Sequence, residues 1–94
     1  MTTEKQLTAQ VKGVAEVFGW LFFHVHRSQF SPAGFPDCVM LRGGRIVVAE
    51  LKVGKNQPSP EQAQWLEAFA ETGAETFLWR ESDEDWTEIQ EVLR

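Results

Sequence analysis

The sequence predicts an α/β fold: a mixed four-stranded sheet flanked by three helices, in the order helix, three strands, helix, strand, helix. Three observations carry this. Apolar residues recur at helical spacing in three separate stretches. Short runs rich in Val, Ile, Leu and Phe lie between Gly, Pro and Ser turn signals. The strand–helix–strand unit from Arg45 to Arg80 is long enough for a crossover between parallel strands, which is right-handed as a rule. The first three strands have short connections and are expected to be antiparallel.

Taken in order, Thr3 to about Gly19 reads as an amphipathic helix, with Leu7, Val11, Val14, Ala15 and Phe18 on one stripe. Thr3 and Gln6 fit a capping box, and Gly19 can end the helix. Trp20 to Arg27 reads as a strand with an aromatic and β-branched centre, followed by a loop from Ser28 to Phe35. Asp37 to Leu41 and Arg45 to Lys52 form a hairpin about the Gly43-Gly44 turn. Val53 to Pro58 is a loop. Ser59 suits the N-cap of the second helix and Pro60 its first position, while Gly73 terminates it. Trp65, Leu66 and Phe69 form its apolar stripe. Glu75 to Arg80 is the last strand. A final helix starts at Ser82, with Trp86, Ile89 and Leu93 expected inward.

Length and composition fit one domain over residues 1–94, with 43% hydrophobic residues, seven Phe and four Trp for its core. No apolar run is long enough to span a bilayer, and the polar N-terminus lacks the pattern of a signal peptide. The single cysteine, Cys38, excludes an internal disulfide and suits a reducing cytoplasm. The net charge of −5 is unevenly spread: ten acids and two bases fall between Glu61 and Arg94, but four acids and seven bases between Met1 and Pro60. A basic face beside an acidic, solvated back is compatible with binding phosphates. Arg27, Arg42 and Lys55 are candidate DNA contacts, although their spacing does not separate them from solubility charges.

The chemistry concentrates between Gly34 and Lys52. Gly34-Phe35-Pro36-Asp37 precedes one strand of the hairpin, and Glu50-Leu51-Lys52 ends the other. Strand alternation puts Glu50 and Lys52 on one face. Paired carboxylates can chelate a hard divalent cation, and a lysine beside them can orient water or stabilise charge developing on a phosphate. Plainer alternatives stand beside each role. Asp37 could cap a turn, and Glu50 and Lys52 could be a solvent-facing ion pair. Gln62 fits a capping box with Ser59. Glu4 shares the apolar stripe of the first helix, whereas Glu16 lies opposite, but an acid in a first turn is also favoured by the helix dipole. His24 and His26 share a strand face, with no third ligand nearby to complete a zinc site.

On these residues the chain resembles the VRR-NUC family of the PD-(D/E)xK nuclease superfamily. The matching features are Glu4, Gly34-Phe35-Pro36-Asp37, Glu50-Leu51-Lys52, and Gln62 followed by Trp65-Leu66; Gly19-Trp20 and Trp79-Arg80 also fit. The resemblance implies a restriction-endonuclease-like fold and an endodeoxyribonuclease using Mg²⁺ or Mn²⁺. It assigns Asp37, Glu50 and the backbone carbonyl of Leu51 to the metal, with Glu4 binding directly or through water. It gives Lys52 the attacking water, and Gln62 the orientation of Lys52 or phosphate. It further implies a homodimer in a bacterial or phage-infected cell, acting on branched DNA such as four-way junctions. A nuclease of ordinary duplex or single strands, or a silent DNA- or partner-binding module of the same fold, remain alternatives.

Overall fold

A computed structural model of the chain describes residues 1–25 and 32–94. His26 and Arg27 lie outside the described residues. The elements are α1 (Glu4–Val17), β1 (Leu21–His24), β2 (Cys38–Arg42), β3 (Arg45–Leu51), α2 (Pro60–Glu71), β4 (Glu75–Trp79) and α3 (Asp83–Leu93). The four strands form one mixed sheet in the order β1-β2-β3-β4. β1 and β2 pair antiparallel, as do β2 and β3, whereas β3 and β4 pair parallel. This is the expected α-β-β-β-α-β-α architecture.

Local chemistry sets the boundaries. Thr3 and Gln6 form a complete capping box on α1, and Ser59 and Gln62 form a second on α2, with Pro60 inside its first turn. Ser82 caps α3 through the Asp85 N–H. Gly43 and Gly44 both have positive φ, which joins β2 to β3 in a tight two-residue turn.

The sheet has two unlike faces. Phe22, Met40, Val47 and Ala49 point to one side, where Leu7, Val11 and Ala15 of α1 and Ile89 and Leu93 of α3 complete the core. Truncating a fully buried side chain such as Leu7 to Ala is worth about 2–5 kcal/mol in such cores. The other face carries Leu21, Phe23, Val39, Leu41, Ile46, Val48, Glu50 and Lys52. α2 packs on its β3–β4 half.

Two expectations are corrected here. Trp86 is exposed in the first turn of α3, at the edge of a shallow cleft it shares with Leu7 and Gln10 of α1. Arg42 is a structural residue. Its side chain lies on the core face, at the opposite end of β2 from Asp37, and stacks 4.5 Å above the Trp20 ring. Its guanidinium donates to the carbonyls of Phe18, Leu93 and Arg94 at 2.9–3.0 Å. Arg45 donates to the Val92 carbonyl at 3.1 Å and pairs with Glu75. α3 has no basic residue in its last turn, so these arginines cap its C-terminus from the hairpin.

Candidate active site

The site forms where β3 ends. Register places Cys38 opposite Ala49, so Asp37 and Glu50 are the next cross-strand neighbours, both on the α2 face. Asp37 Oδ2 accepts the Leu51 N–H at 2.8 Å. That bond does the work of one more rung of the ladder and fixes the carboxylate beside Glu50. The Val25 N–H donates to the Asp37 carbonyl, which extends the row to β1.

Glu50 is buried, and this decides its chemistry. Its Oε1 accepts one hydrogen bond, from Gln62 Nε2 at 3.2 Å. Its Oε2 is the one buried side-chain polar atom without a partner among the described residues. Burial raises its pKa to about 9; Asp37 alongside adds to the rise, Lys52 opposes it, and Glu4 adds a further increment by charge. Cys38, beneath the pair, is a free and buried thiol whose pKa is pushed up by burial and then by the same two acids.

Lys52 follows Glu50 on the same face and is buried, with its backbone N–H donated to Trp79 at 3.0 Å. Gln62 serves two ends at once. Its Oε1 accepts the Ser59 N–H at 2.8 Å in the capping box, and its amide nitrogen reaches Glu50. It is the one buried residue of α2, a helix whose Trp65, Leu66 and Phe69 are only half-buried. Glu4 is exposed at the start of α1, yet its charge is felt at Glu50; Glu16 is exposed on the same helix. Among the described residues, no three His, Cys, Asp or Glu side chains gather as a metal cluster. The structure therefore brings Asp37 and Glu50 together and leaves Glu4 outside that pair. Lys55 is exposed in the β3–α2 loop, and His24 lies on the core face of β1.

Several parts of the site have no signal in periodicity. The segment before Asp37 is clamped to α2. Phe35 packs edge-on against Trp65 and Phe69, with ring centres 5.1 and 5.8 Å away, and Trp65 Nε1 donates to the Ala33 carbonyl at 3.1 Å. Gly34 has φ +84°, and a Cβ there would lie 2.5 Å from the Glu61 carbonyl carbon. Glycine at this position thus allows the loop to touch the first turn of α2. On the other side, Arg80 donates to the Gly54 carbonyl at 3.0 Å and to Gln57 Oε1 at 3.4 Å, and Glu81 accepts the Gly54 N–H at 2.8 Å. These bonds hold the loop between Lys52 and Gln62. An open cleft of about 470 Å³ results, lined by Gly34, Phe35, Asp37, Lys52, Gln57 and Gln62 among others.

The donor set suits a hard divalent cation. Two carboxylates with one buried oxygen unpartnered resemble the sites of ions that take one or two protein carboxylates and complete their shell with water or phosphate oxygens. An open cleft leaves room for such oxygens.

The fold is that of the restriction-endonuclease-like nucleases, and it brings the two acids and the lysine of the motif to one end of the sheet. The comparisons narrow the class. No family sequence model matches the chain, and no curated protein matches it in sequence. A solved structure described as a VRR_NUC domain superposes with a TM-score of 0.74 at 25% identity, covering 99% of this chain and 96% of that one. A second, described as a VRR_NUC domain protein, gives 0.70 at 20% identity, over 96% and 86% of the two chains. Hjc from Archaeoglobus fulgidus, a Holliday junction resolvase, gives 0.55 at 25% identity, over 82% of this chain and 64% of the resolvase. The VRR-NUC resemblance read from the motif is matched by the fold across nearly the whole chain.

Proposed function

We propose that this chain is a metal-dependent endonuclease that hydrolyses phosphodiester bonds in branched DNA, four-way junctions included. One observation carries the chemistry: Glu50 is buried with an oxygen unpartnered, next to Asp37, Lys52 and Gln62, which line an open cleft. A buried carboxylate pair is unfavourable unless one acid takes a proton or a cation joins it, and a cation would displace that proton. Support for branched DNA comes from the likeness to a Holliday junction resolvase.

In this reading Asp37, Glu50 and the Leu51 carbonyl hold Mg²⁺ or Mn²⁺, and Glu4 contributes negative charge or a water contact from the edge. The bound ion supplies Lewis acidity and lowers the pKa of water. Asp37 is held in place by the Leu51 N–H, and Glu50 by Gln62. Lys52 orients the attacking water and offsets charge growing on the phosphate. Lys55 contributes a phosphate contact from the exposed loop. The protein acts in a reducing cytoplasm, with its single thiol buried, and works as a homodimer, since a junction needs two opposed incisions.

The test is cleavage of a labelled four-way junction, a linear duplex and a single strand, each with Mg²⁺, Mn²⁺ or EDTA. Preferential junction cleavage with either metal, lost in EDTA and in Asp37→Ala, is the expected result. Cleavage that survives EDTA removes the metal mechanism. Equal rates on all three DNAs remove the branched preference and leave a plain nuclease. Absence of cleavage, with junction binding retained, identifies a silent module.

A further inference from the structure

The cleft at Asp37 combines two chemistries. Val25, Pro32 and Phe35, from the β1–β2 connection, line it with apolar surface. Lys52, Gln57 and Gln62, from the end of β3 and its passage into α2, line it with polar groups. Val25 donates its N–H to the Asp37 carbonyl at 2.8 Å, so the apolar lining starts next to the acid. The Phe35 ring is half-buried and set edge-on against Trp65 and Phe69. Arg80 donates to Gln57 Oε1 at 3.4 Å, which leaves the N–H donors of that amide available. The volume, about 470 Å³, falls in the range of small-ligand sites.

We infer that the cleft takes one unstacked nucleotide of the DNA, its base against the Phe35 lining and its phosphate toward Lys52 and Gln57. The inference rests on the nuclease reading above and adds to it the state of the substrate. Two observations select a splayed nucleotide over intact duplex. First, paired and stacked bases show a protein only their edges and the backbone, so a duplex has nothing to set against an apolar wall. A splayed base has a free face, whichever base it is. Second, cations are scarce. A protein held to duplex through its backbone makes on the order of 6–10 phosphate contacts. Here Lys52 is the one cation lining the cleft among the described residues, in a chain of net charge −5. Arg42 and Arg45 are committed to the C-terminus of α3 at the far end of the hairpin. Stacking therefore has to supply binding that phosphate contacts do not. Unstacking costs least where pairing is already broken, so such a pocket favours branch points, bulges and mismatches without any base-specific contact.

Fluorescence anisotropy in Ca²⁺ tests this by binding alone. The probes are a linear duplex, the same duplex with one bulged thymidine, and the same with a bulged abasic nucleotide. The wild-type chain should bind the bulged thymidine about 5- to 100-fold more tightly than the intact duplex, and the abasic bulge should lose most of that gain. Bulged dA, dC or dG should serve as well as dT to within about 3-fold, because stacking tolerates any base. Phe35→Leu keeps apolar bulk against Trp65 and Phe69 and should bring the bulge preference below about 3-fold. Gln57→Ala should weaken all three DNAs by a similar factor, as the loss of a phosphate contact does. Val17→Ser is the control: Val17 is 78% exposed at the end of α1, and the preference should be unchanged. Equal affinity for bulged and intact duplex overturns the inference. So does an abasic bulge bound as tightly as the thymidine bulge, an outcome read on the unaltered chain, or a folded Phe35→Leu variant that keeps the preference. Bulge-selective binding with no cleavage of any DNA in Mg²⁺ or Mn²⁺ upholds the inference and overturns the nuclease reading instead.

Discussion

Replacing Glu50 by Gln should stabilise the metal-free protein at neutral pH. The buried carboxyl has its pKa raised from the usual 4.5 to about 9, chiefly by burial and then by Asp37. The folded chain therefore holds a proton that the unfolded chain releases. Below pH 4.5 both states are protonated and the group is neutral in its effect. As pH rises from there, folding opposes ionisation, and stability falls by about 1.4 kcal/mol per pH unit until the folded group itself titrates near 9. By pH 7 the loss reaches about 3 kcal/mol. Gln keeps the shape and can still accept from Gln62, but has no proton to release. The difference in stability between Glu50→Gln and wild type should be near zero at pH 4.5 and grow through pH 7. A domain of this size shifts in Tm by about 4–8 °C per kcal/mol, so the variant should melt roughly 12–24 °C higher at pH 7. Calorimetry in EDTA from pH 4.5 to 9 reads this directly, and the same variant should lose cleavage. A stability difference independent of pH, or a variant less stable at pH 8, would refute the buried-acid argument.

Glu4→Gln should lower activity well beyond Glu16→Gln, because only Glu4 contributes to the field at Glu50; equal effects in a cleavage assay would return Glu4 to a dipole role. Gly34→Ala should lose about 2 kcal/mol or more, since a left-handed φ is combined with a Cβ driven into the α2 backbone. A Tm drop of roughly 10 °C, with turnover falling further than DNA affinity, is the signature. Arg80→Met should release the Gly54–Gln57 loop and reduce turnover several-fold while moving Tm by less than about 4 °C, because the bonds it removes are exposed. Unchanged turnover would make the Arg80 clasp dispensable.

The hairpin carrying Asp37 and Glu50 is legible because its determinants are local. Two glycines at the turn, apolar runs on both sides and strict alternation put both acids at the same end and on the same face. The capping boxes at Thr3–Gln6 and Ser59–Gln62 are legible for the same reason, with donor and acceptor three positions apart. The clamp on the Asp37 loop is not, since Trp65 and Ala33 meet across 32 positions and their spacing follows no period. Arg42 misleads for a related reason. Its bonds to Leu93 and Arg94 lie about 50 positions away, so in sequence it looks like one more free cation. Trp86 fits the inward stripe of α3 by period alone, yet it lies exposed beside the start of α1. Gln62 shows how local and distant roles can coincide, because the amide has two ends and the capping box occupies only one.

That division of Gln62 bears on why the site holds this set of residues. An apolar side chain at position 62 would leave both oxygens of Glu50 buried without partners, a heavy penalty in the metal-free fold. A cation bonded directly to Oε2 would stabilise the carboxylate but occupy the oxygen a metal needs. One neutral donor on Oε1, with the Lys52 charge near enough to oppose the pKa rise without cancelling it, lies between these extremes. Asp37 is treated likewise, with Oδ2 engaged by the Leu51 N–H. Each acid is thus held in position by a single neutral donor, and Glu50, protonated at neutral pH, keeps Oε2 unpartnered. The fold carries the resulting instability on strands whose other face is filled by Leu51, Ala49, Val47 and Trp79. Packing on the core side is what allows an acid pair this poorly solvated to persist, with Glu50 protonated at neutral pH.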